Sequence, residues 1–327
     1  MLNAKLKLNE DIFLKDSELK AERDAFGKTI KELGEKYPDV AVLTADLEES
    51  VRLTDFAQKF PTRFIETGIA EQNMASIAAG MSFSGLVPFV CSHAVFSPYR
   101  NWDQIRLSIC FSNANVKIVG SHAGFSNGPD GGVAESLEDI ALARVLPGIK
   151  VISPIDYYQT IKAVEEIYKT PGPIYLRILK EPTPLITTQD TPFEIGKAYT
   201  LVEGTDITIF ATGPIIFEAL EAAKKLKAVN KINAEVIAVP TIKPLDIETI
   251  VSSAKKTGKC VSVEEHQIDG GFGSAISEML SEKFPVRNVR IGVNNTFGDS
   301  GTYDELKNKF GISSHHIIDA ILNLLKE

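Results

Sequence analysis

Short apolar runs alternate along the chain with longer stretches whose apolar residues recur at helical spacing. Residues 40–44, 86–90, 116–120, 150–153 and 174–177 are runs rich in β-branched side chains and read as strands. Between them, 71–81, 96–111, 136–145 and 157–168 carry apolar positions three and four apart and predict helices. A strand also leads into Gly68. The same beat resumes later, with strands at 207–211, 234–239, 260–264 and 289–291. Helices are predicted at 215–229, 247–256, from about 272 onward, and twice more near the end. Strands spaced by helices call for βαβ units, so the expected fold is α/β, with two consecutive domains of mostly parallel sheet flanked by helices.

Residues 181–193 break the rhythm, with Pro182, Pro184 and Pro192 set among Thr, Gln and Asp and no periodicity. That composition marks a linker. The resulting division is an extension at 1–20, a first domain at 21–185, a linker at 186–195 and a second domain at 196–327. Each half is long enough to expect a core of its own.

Composition narrows the class. Hydrophobic residues at 44% and charged residues at 24% describe a globular chain, which excludes disorder and fibrous repeats. The charge is 35 − 43 = −8 with no basic run, which disfavours nucleic acid and anionic membranes as partners. Cys91, Cys110 and Cys260 are too scattered for a disulfide framework or a zinc site. Residues 1–16 lack the apolar core of a secretory leader, and no run approaches the ~18 apolar residues of a membrane helix. The expected compartment is the cytoplasm.

Three places could carry chemistry. Residues 63–80, RFIETGIAEQNMASIAAG, pass from a strand through Gly68 to a helix opened by Glu71 and followed by small residues. A carboxylate at such a junction suits proton handling, or it is simply a first-turn acid favoured by the helix dipole. Residues 119–139 leave a strand as a glycine-rich loop with His122 and Asp130. In open α/β sheets ligands bind at such carboxyl edges, yet glycine-rich loops are commonly only turns. Arg177 ends the last strand of the first half, where it could fork a phosphate or be a surface charge.

Taken in order, the segments AERDAFG (21–27), TADLEES (44–50), RFIETGIAEQNM (63–74), VPFVCSHAVF (87–96), WDQIR (102–106) and GSHAGFSNGPDG (120–131) resemble the C-terminal half of transketolase. LEDIALAR (137–144), TIKPLD (241–246) and VEEHQIDGGFGSAISE (263–278) extend the resemblance over nearly the whole chain. It implies a pyrimidine-binding domain followed by the transketolase C-terminal domain, with thiamine diphosphate as cofactor. In that family the cofactor's own amino group is the base, and a glutamate bonded to the opposite ring nitrogen makes it competent. The resemblance gives this role to Glu71. It puts Phe96, His93 and Leu47 around the pyrimidine, with His93 replacing a more common Phe. It puts His122, Arg177, Arg23 and Ser50 at the phosphate of sugar phosphate substrates, and Asp130 at a sugar hydroxyl.

Departures cluster near the substrate channel. Ala134 stands where the family usually has a His or Gln donor, residues 97–101 hold an extra residue with Pro98 and Tyr99, and another is added before Pro182. These point toward a non-standard or modified sugar. Family members also need a domain with a GDG motif to hold the diphosphate through Mg²⁺ (or Ca²⁺ or Mn²⁺), and the one similar string here is Gly298-Asp299-Ser300. The implied enzyme is therefore split. An N-terminal transketolase subunit would bring the diphosphate-binding domain and the metal, in an α2β2 heterotetramer, while this chain carries no metal ligands. Weighed against this are the β subunit of a 2-oxo acid dehydrogenase decarboxylase, a 1-deoxyxylulose-5-phosphate synthase-like enzyme and a non-catalytic scaffold subunit. AEQNM, GSHAG and TIKPLD speak against the first, and the synthase is normally one long chain. Retention of both Glu71 and Phe96 speaks against the scaffold.

Overall fold

The computed structural model describes residues 2–326. The first half supplies strands β1 (Val40–Thr44), β2 (Phe64–Glu66), β3 (Val87–His93), β4 (Lys117–Ser121), β5 (Lys150–Ile152) and β6 (Ile174–Arg177). The second half supplies β7 (Tyr199–Val202), β8 (Ile207–Ala211), β9 (Ala234–Ala238), β10 (Thr241–Lys243), β11 (Cys260–Gln267) and β12 (Asn288–Val293). Two layered sheets result, ordered β10-β5-β6-β4-β3-β1-β2 and β12-β11-β8-β9-β7. Each is parallel except for one antiparallel edge strand, β10 in the first and β7 in the second. Val40–Thr44 and Lys117–Ser121 are buried at every position, as expected of parallel strands covered by helices on both faces. Among the described residues no helix is long and apolar enough to cross a membrane.

Most predicted elements stand within a few residues of their expected bounds, and the exceptions have physical causes. The helix Glu22–Lys36 has a weak sequence signal because Gly27 and Gly34 interrupt it. Both glycines lie in contact: a Cβ on Gly34 would come within 2.6 Å of the Phe56 ring, and one on Gly27 within 2.5 Å of Arg52. The helix expected over 96–111 begins only at Trp102, because residues 97–101 form a turn containing Pro98. From Ile105 it widens into a π-helical stretch ending at Phe111.

The two halves do not keep separate cores. Val90, Ile118 and Ile149 from the first half pack in one cluster with Phe210, Ile242 and Phe272 from the second. TIKPLD is the reason β10 crosses over: Thr241 pairs with Ile152, and Lys243 donates to the carbonyls of Arg144 and Leu146. The N-terminal segment folds back the other way, with Asn3 donating to Leu201 and Leu8 and Ile12 buried in the second core.

Candidate active site

The residues singled out by sequence gather at one edge because parallel strands put all their carboxyl ends together. In register, His93 pairs with Ser121 and Gly120 with Arg177, so the loops after β3, β4 and β6 start side by side. The loop after β1 carries Leu47 and Ser50, and the turn after β2 carries Gly68 and leads to Glu71. Gly68 has φ +66°, a conformation glycine adopts without strain, and this turns the chain sharply into the helix Glu71–Phe83.

Glu71 is buried at the first turn of that helix, 3% exposed. Asn101 Nδ2 donates to its carbonyl, and Arg100 Nη1 donates to its Oε1 at 2.9 Å. The same guanidinium lies 4.1 Å above the Phe96 ring. A carboxylate, an aromatic face and a planar cation thus meet in one small volume.

The second cluster adjoins the first through His93. Its ring stacks on Phe96 with centroids 5.6 Å apart, and on His122 at 3.8 Å. Ser50 Oγ lies 2.8 Å from His93 Nε2 and 3.2 Å from His122 Nε2. Arg23 Nη1 is 3.4 Å from His122 Nε2, and its buried Nε has no hydrogen-bond partner among the described residues. His122 is held with φ +57°, outside the ordinary range for a side-chain-bearing residue. Lys180 donates to Asn127 nearby.

Burial, then Lys180, pushes the His93 imidazole down to about 4, with Asp130 opposing and Arg23 adding to the effect. Burial, then His93 and Arg23, pushes His122 down to about 2. Burial and Arg52 also make the Arg23 charge harder to hold. Positive charge therefore converges around two neutral rings, and the chemistry that relieves it is an anion.

Arg177 is a correction. Its side chain is 2% exposed, with Nε donating to Asp139 and Nη2 to the Glu265 carbonyl. Burial opposes the guanidinium charge, and Asp139 and Glu265 more than restore it. Tyr175 donates to the same Asp139 oxygen. Neither a phosphate fork nor a surface charge, Arg177 ties the first domain to the second. Asp130 is exposed at the tip of the turn Gly128–Asp130, and Leu47 packs half-buried against the first-domain core.

Sequence reasoning missed Arg100 and Lys180. Arg100 stands four residues after Phe96, a helical spacing interrupted by Pro98, and Lys180 stands three residues beyond the strand end that drew attention to Arg177.

Comparison with known proteins gives this edge its context. The family described as the transketolase pyrimidine binding domain matches residues 20–184, and the transketolase C-terminal domain matches 196–317. The putative transketolase C-terminal section of Methanocaldococcus jannaschii is 41% identical, over 94% of this chain and 97% of its own length. A 6-deoxy-6-sulfo-D-fructose transketolase subunit from a Clostridium species is 40% identical, over 91% of this chain and 92% of that protein. A solved structure described as a split gene transketolase, inactive beta4 tetramer, superposes with a TM-score of 0.87 at 42% identity, covering 94% of this chain and 98% of that one.

Proposed function

Because the chain belongs to the transketolase family and is the C-terminal subunit of a split transketolase, we propose that it supplies the pyrimidine-binding and sugar-binding walls of an active site completed by a second polypeptide. The reaction is transfer of a two-carbon ketol unit from a ketose phosphate to an aldose phosphate, in the cytoplasm. Relatives that share the split arrangement include one named for a sulfonated fructose, which supports a modified sugar here.

The observation that carries the reading is the placement of Glu71. Its carboxylate is buried, sits at a helix start and shares the Arg100 guanidinium with the face of Phe96. That donor set fits the aminopyrimidine end of thiamine diphosphate: an acceptor for a ring nitrogen beside an aromatic stacking surface. Open space above Gly68, where a Cβ would meet nothing within 4 Å, leaves room at the same turn. Thiamine diphosphate supplies, when bound, the carbon nucleophile that takes up and hands on the two-carbon unit. Glu71 holds a proton at the ring nitrogen, Phe96 and His93 orient the ring, and water is kept out by the small-residue helix behind Glu71. Arg23, Ser50, His122 and Lys180 hold the acidic end of the sugar, and Asp130 takes a sugar hydroxyl.

The diphosphate and its Mg²⁺ fall to an N-terminal transketolase subunit, in an α2β2 assembly. Exposed apolar side chains support a partner surface beside the site. Ile69 is 72% exposed, Phe83 65% and Phe111 86%, all on or next to the helices that carry Glu71 and follow Arg100. The test is reconstitution: thiamine diphosphate, Mg²⁺ and a ketose phosphate with an aldose acceptor, assayed with this chain alone and with its diphosphate-binding partner. Turnover is expected only from the pair. Turnover by this chain alone, or release of CO₂ from a 2-oxo acid by the pair, would overturn the reading.

A further inference from the structure

The Ser50 hydroxyl has one proton and sits between two imidazole nitrogens, which fixes the direction of the whole cluster. A guanidinium can only donate, so the Arg23 contact makes His122 Nε2 an acceptor and puts the His122 proton on Nδ1, which donates to Ser121 Oγ at 3.0 Å. Ser50 must then donate to His122 Nε2, since otherwise two lone pairs would face each other at 3.2 Å. That leaves Ser50 Oγ as the acceptor for His93, whose Nε2 therefore carries the proton, at 2.8 Å. The chain runs His93 Nε2–H to Ser50 Oγ–H to His122 Nε2, with Arg23 entering from the far side.

We infer that His93 is a specificity-determining residue, whose Nε2–H, together with the Ser50 hydroxyl and the Arg23 and Lys180 cations, binds the tetrahedral oxyanion, phosphate or sulfonate, at the end of the ketose. His122 in this tautomer offers the site only an acceptor, so the ring donor to the anion comes from His93. A phenylalanine there would keep the stack on Phe96 at 5.6 Å but offer no donor. The imidazole therefore adds one hydrogen bond that serves an oxygen-rich anion and nothing in an unmodified sugar. Neutrality of both rings is consistent with burial and the facing charges of Arg23, Arg52 and Lys180, with Asp130 the opposing carboxylate. The proposal rests on the ketol-transfer reading for the identity of the ligand, and on the geometry alone for the donor.

Two measurements test it. The full chain, labelled with ring-¹⁵N histidine, is titrated by NMR with inorganic phosphate and separately with methanesulfonate. His93 is expected as the Nε2–H tautomer and His122 as Nδ1–H, with the His93 Nε2 signal moving saturably. An Nδ1–H tautomer at His93, or no shift with either anion, overturns the inference whatever the enzyme's activity. In the reconstituted pair, His93→Phe and His93→Gln are assayed on a ketose 6-phosphate, its 6-sulfonate analogue and the unmodified ketose. Loss of a charge-assisted hydrogen bond predicts that His93→Phe lowers kcat/KM for the acidic sugars by ~10-fold or more relative to the unmodified one, mainly through KM. His93→Gln, which keeps an N–H, is expected to recover most of that ratio. A drop for one acidic sugar only identifies it as the ligand. Equal losses on all three sugars, with weakened thiamine diphosphate binding, would make His93 part of the cofactor wall and overturn the inference. A wild-type pair that turns over none of the three contradicts the ketol-transfer reading instead, and the NMR titration still decides the donor.

Discussion

A single buried carboxylate gives the sharpest expectation at the residue scale. Glu71→Ala should lower turnover of the reconstituted pair by ~100-fold or more, the usual effect of removing a proton-handling group. Circular dichroism and melting temperature should stay near wild type, since Arg100 is half-exposed and can rehydrate once its partner is gone. Near-normal turnover would remove Glu71 from the chemistry. The stacked imidazoles predict a pH effect on stability. His93 and His122 are held near 4 and 2, below the ordinary histidine value, so the unfolded chain binds protons more readily than the folded one as acid is added. Their contribution is fully present above about pH 6.5 and is lost as pH falls toward 4. Urea midpoints measured across that window should fall, and fall less in His93→Phe. Sequence alone made these residues candidates by resemblance. It could not show that His93 and His122 share one hydroxyl, because they are 29 positions apart and meet only when β3 and β4 pair in register.

At the scale of elements, the strand end that drew attention to Arg177 turns inward, and the prediction changes with it. Asp139→Ala strands a buried guanidinium and should cost about 3–5 kcal/mol of stability, read as a lowered urea midpoint. The KM for the sugar phosphate should be little affected in whatever fraction stays folded. Lys180→Ala should do the reverse, raising that KM by ~10-fold with an unchanged melting temperature, as expected for a charged contact to an anion. If Lys180→Ala leaves KM alone, the anion is held elsewhere. Periodicity read β6 correctly as a strand, since Ile174–Arg177 is short, apolar and buried throughout. It could not tell which way Arg177 points, because that depends on Asp139 from another loop and Glu265 from another domain. The turn at 97–101 was missed for a related reason: apolar residues continue at helical spacing through Pro98, and only the contact of Asn101 with Glu71 shows where the helix starts.

Across the whole molecule, the site lies on an exposed edge rather than in a closed cleft, and apolar side chains surround it. Phe111→Ser should leave this chain folded, because the ring is 86% exposed, yet weaken assembly with the diphosphate-binding partner in sedimentation experiments. An unchanged assembly would locate the interface on another face. Hydrophobic rhythm by itself determined the class of fold, since strand and helix periods survive in any context, and the ordered motifs determined the family. Neither gave the shared core, in which Val90 and Phe272 belong to one cluster although 181 positions separate them. Local pattern records which side of each element is apolar, whereas partner choice follows from how those sides close upon one another. Tertiary structure therefore decided that β10 crosses to the first sheet, that Arg177 is internal and that His93 joins the cofactor wall to the anion cluster, because each of these depends on contacts between distant segments that no single stretch of sequence contains.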